Sequence, residues 1–176
     1  MNMNIAFAQR TIYQNKKILS ELYEDLSLRT VHYRAKGQVS GFIPLHSRWV
    51  IKLSSQGGTL FGVRFFENEL FKIGGMNSLR GFNEDEILAS TFVIATSELR
   101  FLFARFAYLN LFFNAAWYER NVAQQYRSDF PYGFGVGVAF DTKAGLFYLS
   151  YALGKQLNNP ISFKTGKIHF GLNLAF

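Results

Sequence analysis

The chain contains no cysteine, no basic amino-terminal region followed by an apolar stretch, and no run of about 18 apolar residues. Without cysteine there is no disulfide framework and no thiolate metal site. The opening MNMNIAFAQR is not a secretory signal, so the reading is either a cytoplasmic protein or a piece of something longer. The missing apolar run excludes a membrane-spanning helix but not a spanning barrel, whose strands need only about 9 to 11 residues each. HExxH, GxSxG and Walker-type glycine motifs are also absent, and His32, His46 and His169 fall on separate segments. The expectation is therefore a protein that is not an enzyme, with no cofactor and no metal site.

What is present is apolar and finely interleaved. Of 176 residues, enough for one domain, 49% are hydrophobic, including 20 Phe and 9 Tyr. Mean hydropathy is nevertheless only +0.03, which favours alternating strands. The net charge of +7 would suit nucleic acid or anionic lipid. The basic residues alternate along strand-like segments without a nucleic-acid module, however, so they are assigned to a wet strand face and no nucleic-acid partner is expected.

Residues 14–26, QNKKILSELYEDL, place Ile18, Leu19, Leu22 and Leu26 at helical spacing and predict a short amphipathic helix. From Thr30 the period becomes two. In TVHYRAKGQVSGF, His32, Arg34, Lys36, Gln38 and Ser40 share one face and Val31, Tyr33, Ala35, Val39 the other. A turn is expected at IPL, and a second strand follows over SRWVIKLSS. A long glycine-bearing stretch, 56–90, then precedes five further strands, over 91–103, 108–118, 133–141, 146–154 and 167–176. The count is about seven strands, preceded by a segment of residues 1–28 that is a candidate remnant of an upstream strand and loop. Up-and-down order puts the short connections (IPLH, ARFA, DTKAG) on one side and the long ones (56–90, 120–131, 155–165) on the other, the asymmetry of outer-membrane barrels.

Alternation alone does not say which face is wet, since a soluble ligand-carrying barrel turns its apolar residues inward and a membrane barrel turns them outward. Three features favour the membrane case: charges and glycines share the face opposite the large aromatics; the chain ends on Phe176 after alternating Phe170, Leu172 and Leu174; and Tyr33, Trp49, Tyr108, Trp117, Tyr118 and Tyr132 lie near strand ends, suggesting an interfacial girdle.

The stretch GGMNSLRGFNEDE, residues 74–86, sets one arginine on a glycine-flanked loop. Together with NELFKIGG, TSELR, LFFNAAW, GFGVGVAFDTKAGLFYLSYALGK and KIHFGLNLAF, it resembles the closing strands of the outer-membrane assembly and secretion superfamily, the bacterial surface antigen family with its BamA-like, TamA-like and two-partner secretion members, in a form similar to sequences from Bacteroidetes. The resemblance covers residues 30–176. It implies an all-β, antiparallel up-and-down transmembrane barrel segment, the last part of a sixteen-stranded barrel (residues 29–176), in the bacterial outer membrane. It implies a loop folded into the lumen, with Gly74, Gly75, Gly81 and Phe82 shaping it and Arg80 reaching acidic residues on the inner wall.

Carried over by position, the partners of Arg80 are Glu98 and Asn114, the latter standing where the family usually has an aspartate. The alternative partner for Glu98 is Arg100, two residues along the same face. Glu84, Asp85 and Glu86 are expected to be a solvated loop flank. Phe176, Leu174, Leu172 and Phe170 resemble the insertion signal read by the barrel-assembly machinery. The implied partners are outer-membrane lipid, that machinery, a client polypeptide, and the earlier barrel strands and POTRA repeats that this sequence lacks, because half of a barrel would present unpaired edges to lipid. The alternative reading is a barrel binding a small apolar ligand, or a general porin-like barrel.

Overall fold

The computed structural model describes residues 2–11, 29–62, 65–122, 125–142, 145–157 and 161–173. The strands are β1 (Asn2–Thr11), β2 (Arg29–His46), β3 (Trp49–Phe61), β4 (Phe71–Ile73), β5 (Ile87–Ala89), β6 (Thr91–Ala104), β7 (Ala107–Val122), β8 (Gln125–Asp129), β9 (Tyr132–Thr142), β10 (Gly145–Lys155) and β11 (Lys167–Asn173). They form an antiparallel sheet of order β1-β2-β3-β6-β7-β9-β10-β11, with β8 paired to the far end of β7 and β4-β5 making a separate two-stranded ribbon. The sheet is open, and β1 and β11 are its edges among the described residues.

All seven expected strands are found in up-and-down order, and β1 pairs with β2 ahead of them. The predicted helix over residues 14–26 lies outside the described residues, as do Leu174 and Phe176.

Several boundaries differ from the sequence expectation. The first hairpin turns at Ser47–Arg48 rather than at IPL. Pro44 stays within β2, at a register shift between Pro44 and His46, where an irregular ladder tolerates a residue without an N–H. β3 continues to Phe61 and so takes in Gly57 and Gly58. The expected loop over 120–131 is largely a hairpin, since β8 continues the pairing along the edge of β7 that β9 occupies lower down.

The two faces divide as the alternation predicts. Val93, Leu109, Leu111, Phe113, Val136, Phe170 and Leu172 stand exposed on one face, with Phe170 at 75%. A contiguous apolar face that covers nothing within the protein is the outer surface of a membrane barrel. Charged and small residues line the opposite, inner face, but its upper part is apolar. There Phe92, Ile94, Ala116 and Tyr118 pack against Phe71, Ile73, Leu79, Phe82, Ile87 and Ala89 of the 62–90 connection. The long connection therefore folds back on the inner wall, and its apolar contacts form the buried core. Tyr108 and Tyr118 leave the expected girdle for this reason: both share the inner face of β7, where Tyr118 joins the core and Tyr108 stacks on Arg100. Tyr33 and Trp49 remain exposed.

Placing a charge on the lipid face tests this division. Phe113→Arg, near the middle of the outward row of β7, is expected to cost about 2 to 4 kcal/mol, as arginine does at the bilayer midplane, while Ser40→Lys on the inner face stays near neutral. Urea titration of the protein in phospholipid vesicles measures both, and equal costs would refute the assignment of faces.

Candidate functional site

Arg80 sits at the tip of the infolded loop, between two anchors. Leu79 and Phe82 are buried in the core cluster on either side of it, so apolar packing fixes the loop before any polar contact is counted. Burying two such side chains contributes about 1.5 to 3 kcal/mol each. The loop's own turns are closed by short bonds. Ser78 Oγ accepts from Gly74 N and donates to Gly74 O, both at 2.7 Å. Glu84 Oε1 accepts from Met76 N at 2.8 Å and Glu86 Oε2 from Asn83 N at 2.6 Å. Two of the three acids expected to be a solvated flank thus cap loop amides, whereas Asp85 turns the chain at φ +57. Gly74 and Gly75 have φ of +126 and +87, and Gly81 has φ +97, a region that disfavours any residue with a Cβ.

Cross-strand register assembles the wall that receives Arg80. One row across the sheet is Lys52, Glu98, Phe112, Gly135; the next is Ser54, Thr96, Asn114, Gly133. The Arg80 guanidinium lies over the Phe112 ring, 3.6 Å from its centroid, and reaches the carboxylate one strand away. Nη2 donates to Glu98 Oε1 at 2.8 Å and to Asn114 Oδ1 at 3.2 Å, and Nη1 donates to Tyr148 OH at 2.8 Å. Arg80 is only 5% exposed and Asn114 1%. A guanidinium so buried requires charge-assisted acceptors, and this arrangement supplies one carboxylate, one amide oxygen and one phenol.

Glu98 does not choose between Arg80 and Arg100. Its Oε1 takes Arg80, while its Oε2 accepts from Arg100 Nε at 2.9 Å and Nη2 at 2.6 Å. Lys52 Nζ stands 3.9 Å from Oε1. Asn114 does more than replace a charge: its Nδ2 donates to Thr96 Oγ1 at 3.0 Å and to the Ser78 carbonyl at 3.3 Å. An aspartate there would have no donor for that loop carbonyl. The same side chain therefore holds the arginine through its oxygen and the loop backbone through its nitrogen.

Tyr148, Phe112, Thr96 and His169 escaped the sequence reading. His169, on β11, accepts from Gly81 N at 3.3 Å. The legible signals were an aromatic out of place among Asn110 and Asn114 on the polar face of β7, and Tyr148 opposite the apolar row of β10. The glycines on the inner face of β9 and β10 were a signal too. A Cβ at Gly133 would come within 1.9 Å of the Arg80 carbonyl, and one at Gly154 within 2.4 Å of the Gly81 carbonyl. They are the floor on which the loop backbone rests. Phe170 and Leu172 point outward, away from this cluster.

The glycine floor gives a test that alters no polar group. Gly133→Ala is expected to displace the loop and to cost about 1 to 3 kcal/mol, in the range for overpacking. Gly41→Ala, where nothing lies within 4 Å, serves as the control. Protease sensitivity of residues 74–86 reads the displacement, and equal protection in both variants would show that the close approach is not required.

Comparison with known proteins bears on the same region. The chain matches the Omp85 superfamily domain over residues 17–176. It is also similar to the chloroplastic outer envelope protein 80 of Arabidopsis thaliana, at 29% identity over 138 residues, which are 73% of this chain and 17% of that protein. The chain thus spans less than a fifth of the length of that curated relative. The superfamily match takes in β2 to β11, the infolded loop and every residue that touches Arg80. On that match, the chain belongs to the Omp85 superfamily.

Proposed function

We propose that this chain is a non-enzymatic wall segment of a bacterial outer-membrane barrel that inserts or translocates polypeptides, with the 74–86 loop latched to the inner wall by Arg80. The observation that carries the reading is the buried contact of Arg80 with Glu98, made by a loop that folds back onto the polar face of a membrane-type sheet in an Omp85 superfamily chain. A latch of this kind is reversible chemistry: its polar bonds can be exchanged for water when the loop moves, and no covalent step is needed. The sheet's open edges cannot face lipid unpaired, so further strands close the wall, and periplasmic POTRA repeats are its natural company in this superfamily. The outward Phe170 and Leu172, with Leu174 and Phe176 beyond them, are the proposed insertion signal for the barrel-assembly machinery. A client polypeptide and outer-membrane lipid complete the partners. A barrel enclosing an apolar ligand is less favoured, because the apolar upper part of the inner face is already covered by the infolded connection and the other large apolar rows stand exposed on the outer face.

The shared carboxylate predicts an order of effects. Arg80→Ala leaves Glu98 held by Arg100 and costs about 1 to 3 kcal/mol. Glu98→Gln leaves Arg80, Arg100 and Lys52 without a carboxylate and costs about 3 to 5 kcal/mol. Unfolding in detergent reads the stability, and assembly or secretion of a client by the full-length protein reads the function. Both variants are expected to impair transport. Unchanged transport with a protease-accessible loop would sink the latch, and a larger cost for Arg80→Ala would sink the sharing.

A further inference from the structure

Beside the latch, between the loop and the inner wall of β2, β3 and β6, lies a recess of about 180 Å³. Gln38, Lys52, Ser54 and Arg100 line it, with Arg80 and Glu98 at its floor. Its charges do not balance. Three cations, Lys52, Arg80 and Arg100, converge on the single carboxylate of Glu98, leaving two positive charges beside a half-open recess. Both oxygens of Glu98 are already taken by the two guanidinium groups.

Lys52 is left over. Its ammonium lies 3.9 Å from Glu98, too far for a hydrogen bond. An ammonium carries three donors and no acceptor, and Lys52 lines the recess. Arg100 spends Nε and Nη2 on Glu98, leaving Nη1 without a hydrogen bond among the described residues, and its guanidinium lies against the Tyr108 ring, 4.4 Å from the centroid. The hydroxyl of Ser54 and the amide of Gln38 line the same space as neutral donors. Fixed cations with unspent donors, beside neutral donors and around an open volume, form the complement of an oxyanion.

We propose that this recess binds one divalent oxyanion, inorganic phosphate or a phosphomonoester, which neutralises the excess charge of Lys52, Arg80 and Arg100. The anion would sit between wall and loop, so its binding would favour the docked loop. Binding to the folded state alone raises stability by mass action and saturates once the site is full.

The test uses the full-length protein folded in detergent micelles. Equilibrium dialysis against radiolabelled phosphate is expected to saturate at one anion per chain, and the melting temperature is expected to rise saturably with phosphate but not with sodium chloride at equal ionic strength. Lys52→Gln should weaken phosphate binding about tenfold or more, the loss of one charge-assisted contact. Arg105→Gln, on the turn between β6 and β7 and not among the residues that line the recess, should leave it unchanged. Glucose 6-phosphate distinguishes the sources: a matching rise assigns the site to phosphomonoesters, and a rise with phosphate alone assigns it to the free anion. Dialysis without saturable binding, equal shifts with chloride, or unaltered binding by Lys52→Gln would each overturn the proposal and leave the recess to water.

Discussion

The structure turns on one carboxylate shared among cations that arrive from different elements. Glu98 projects from β6; Arg100 meets it from the same strand, Lys52 from β3, and Arg80 from the tip of a loop. Remove the carboxylate and Arg80, Arg100 and Lys52 face one another as like charges where the loop meets the wall. Keep it, and the position of Arg80 is defined to within one hydrogen bond.

Yet the carboxylate does not drive the loop inward by itself. A buried ion pair loses in desolvation much of what it gains in attraction, and is often no more stabilising than an apolar pair of the same shape. The burial of Leu79 and Phe82 against Phe92, Ile94, Ala116 and Tyr118 is the larger favourable term. The division of labour follows: apolar burial brings the loop down, and the polar cluster fixes its register and makes misplacement costly. A device that must hold firmly but release can work this way, since apolar packing is tolerant of position and an orphaned guanidinium is not.

Sheet register carries this arrangement. Phe112 stands directly across from Glu98, so a guanidinium can stack on the ring while reaching the carboxylate. Asn114 stands across from Thr96, so its amide is oriented by the hydroxyl before the loop arrives. Gly133, across from Asn114, leaves the space that the loop backbone fills. A slip of one residue in β6 would turn Glu98 and Thr96 to lipid, and one in β7 would turn Phe112 and Asn114. The same alternation that gives the outer face its apolar surface therefore builds the site, and stability in the membrane and loop docking depend on a single pattern.

Strand identity was legible in the sequence, because alternation with period two is a local property and parity puts Glu98 and Asn114 on the polar face, whereas Arg80 and its pairing with them came from the family resemblance. The legible part ended where contacts join distant residues. Arg80 and Tyr148 are 68 positions apart, and nothing local announces that they meet. The turn at Ser47–Arg48, the inward Tyr108 and Tyr118, the caps made by Glu84 and Glu86, and the double duty of Asn114 depend likewise on how the ladders line up and where the loop comes to rest. Sequence determined which residues could face the lumen. Only tertiary structure decided which of them share a carboxylate, because hydrogen bonds are made over about 3 Å in space, whatever the distance along the chain.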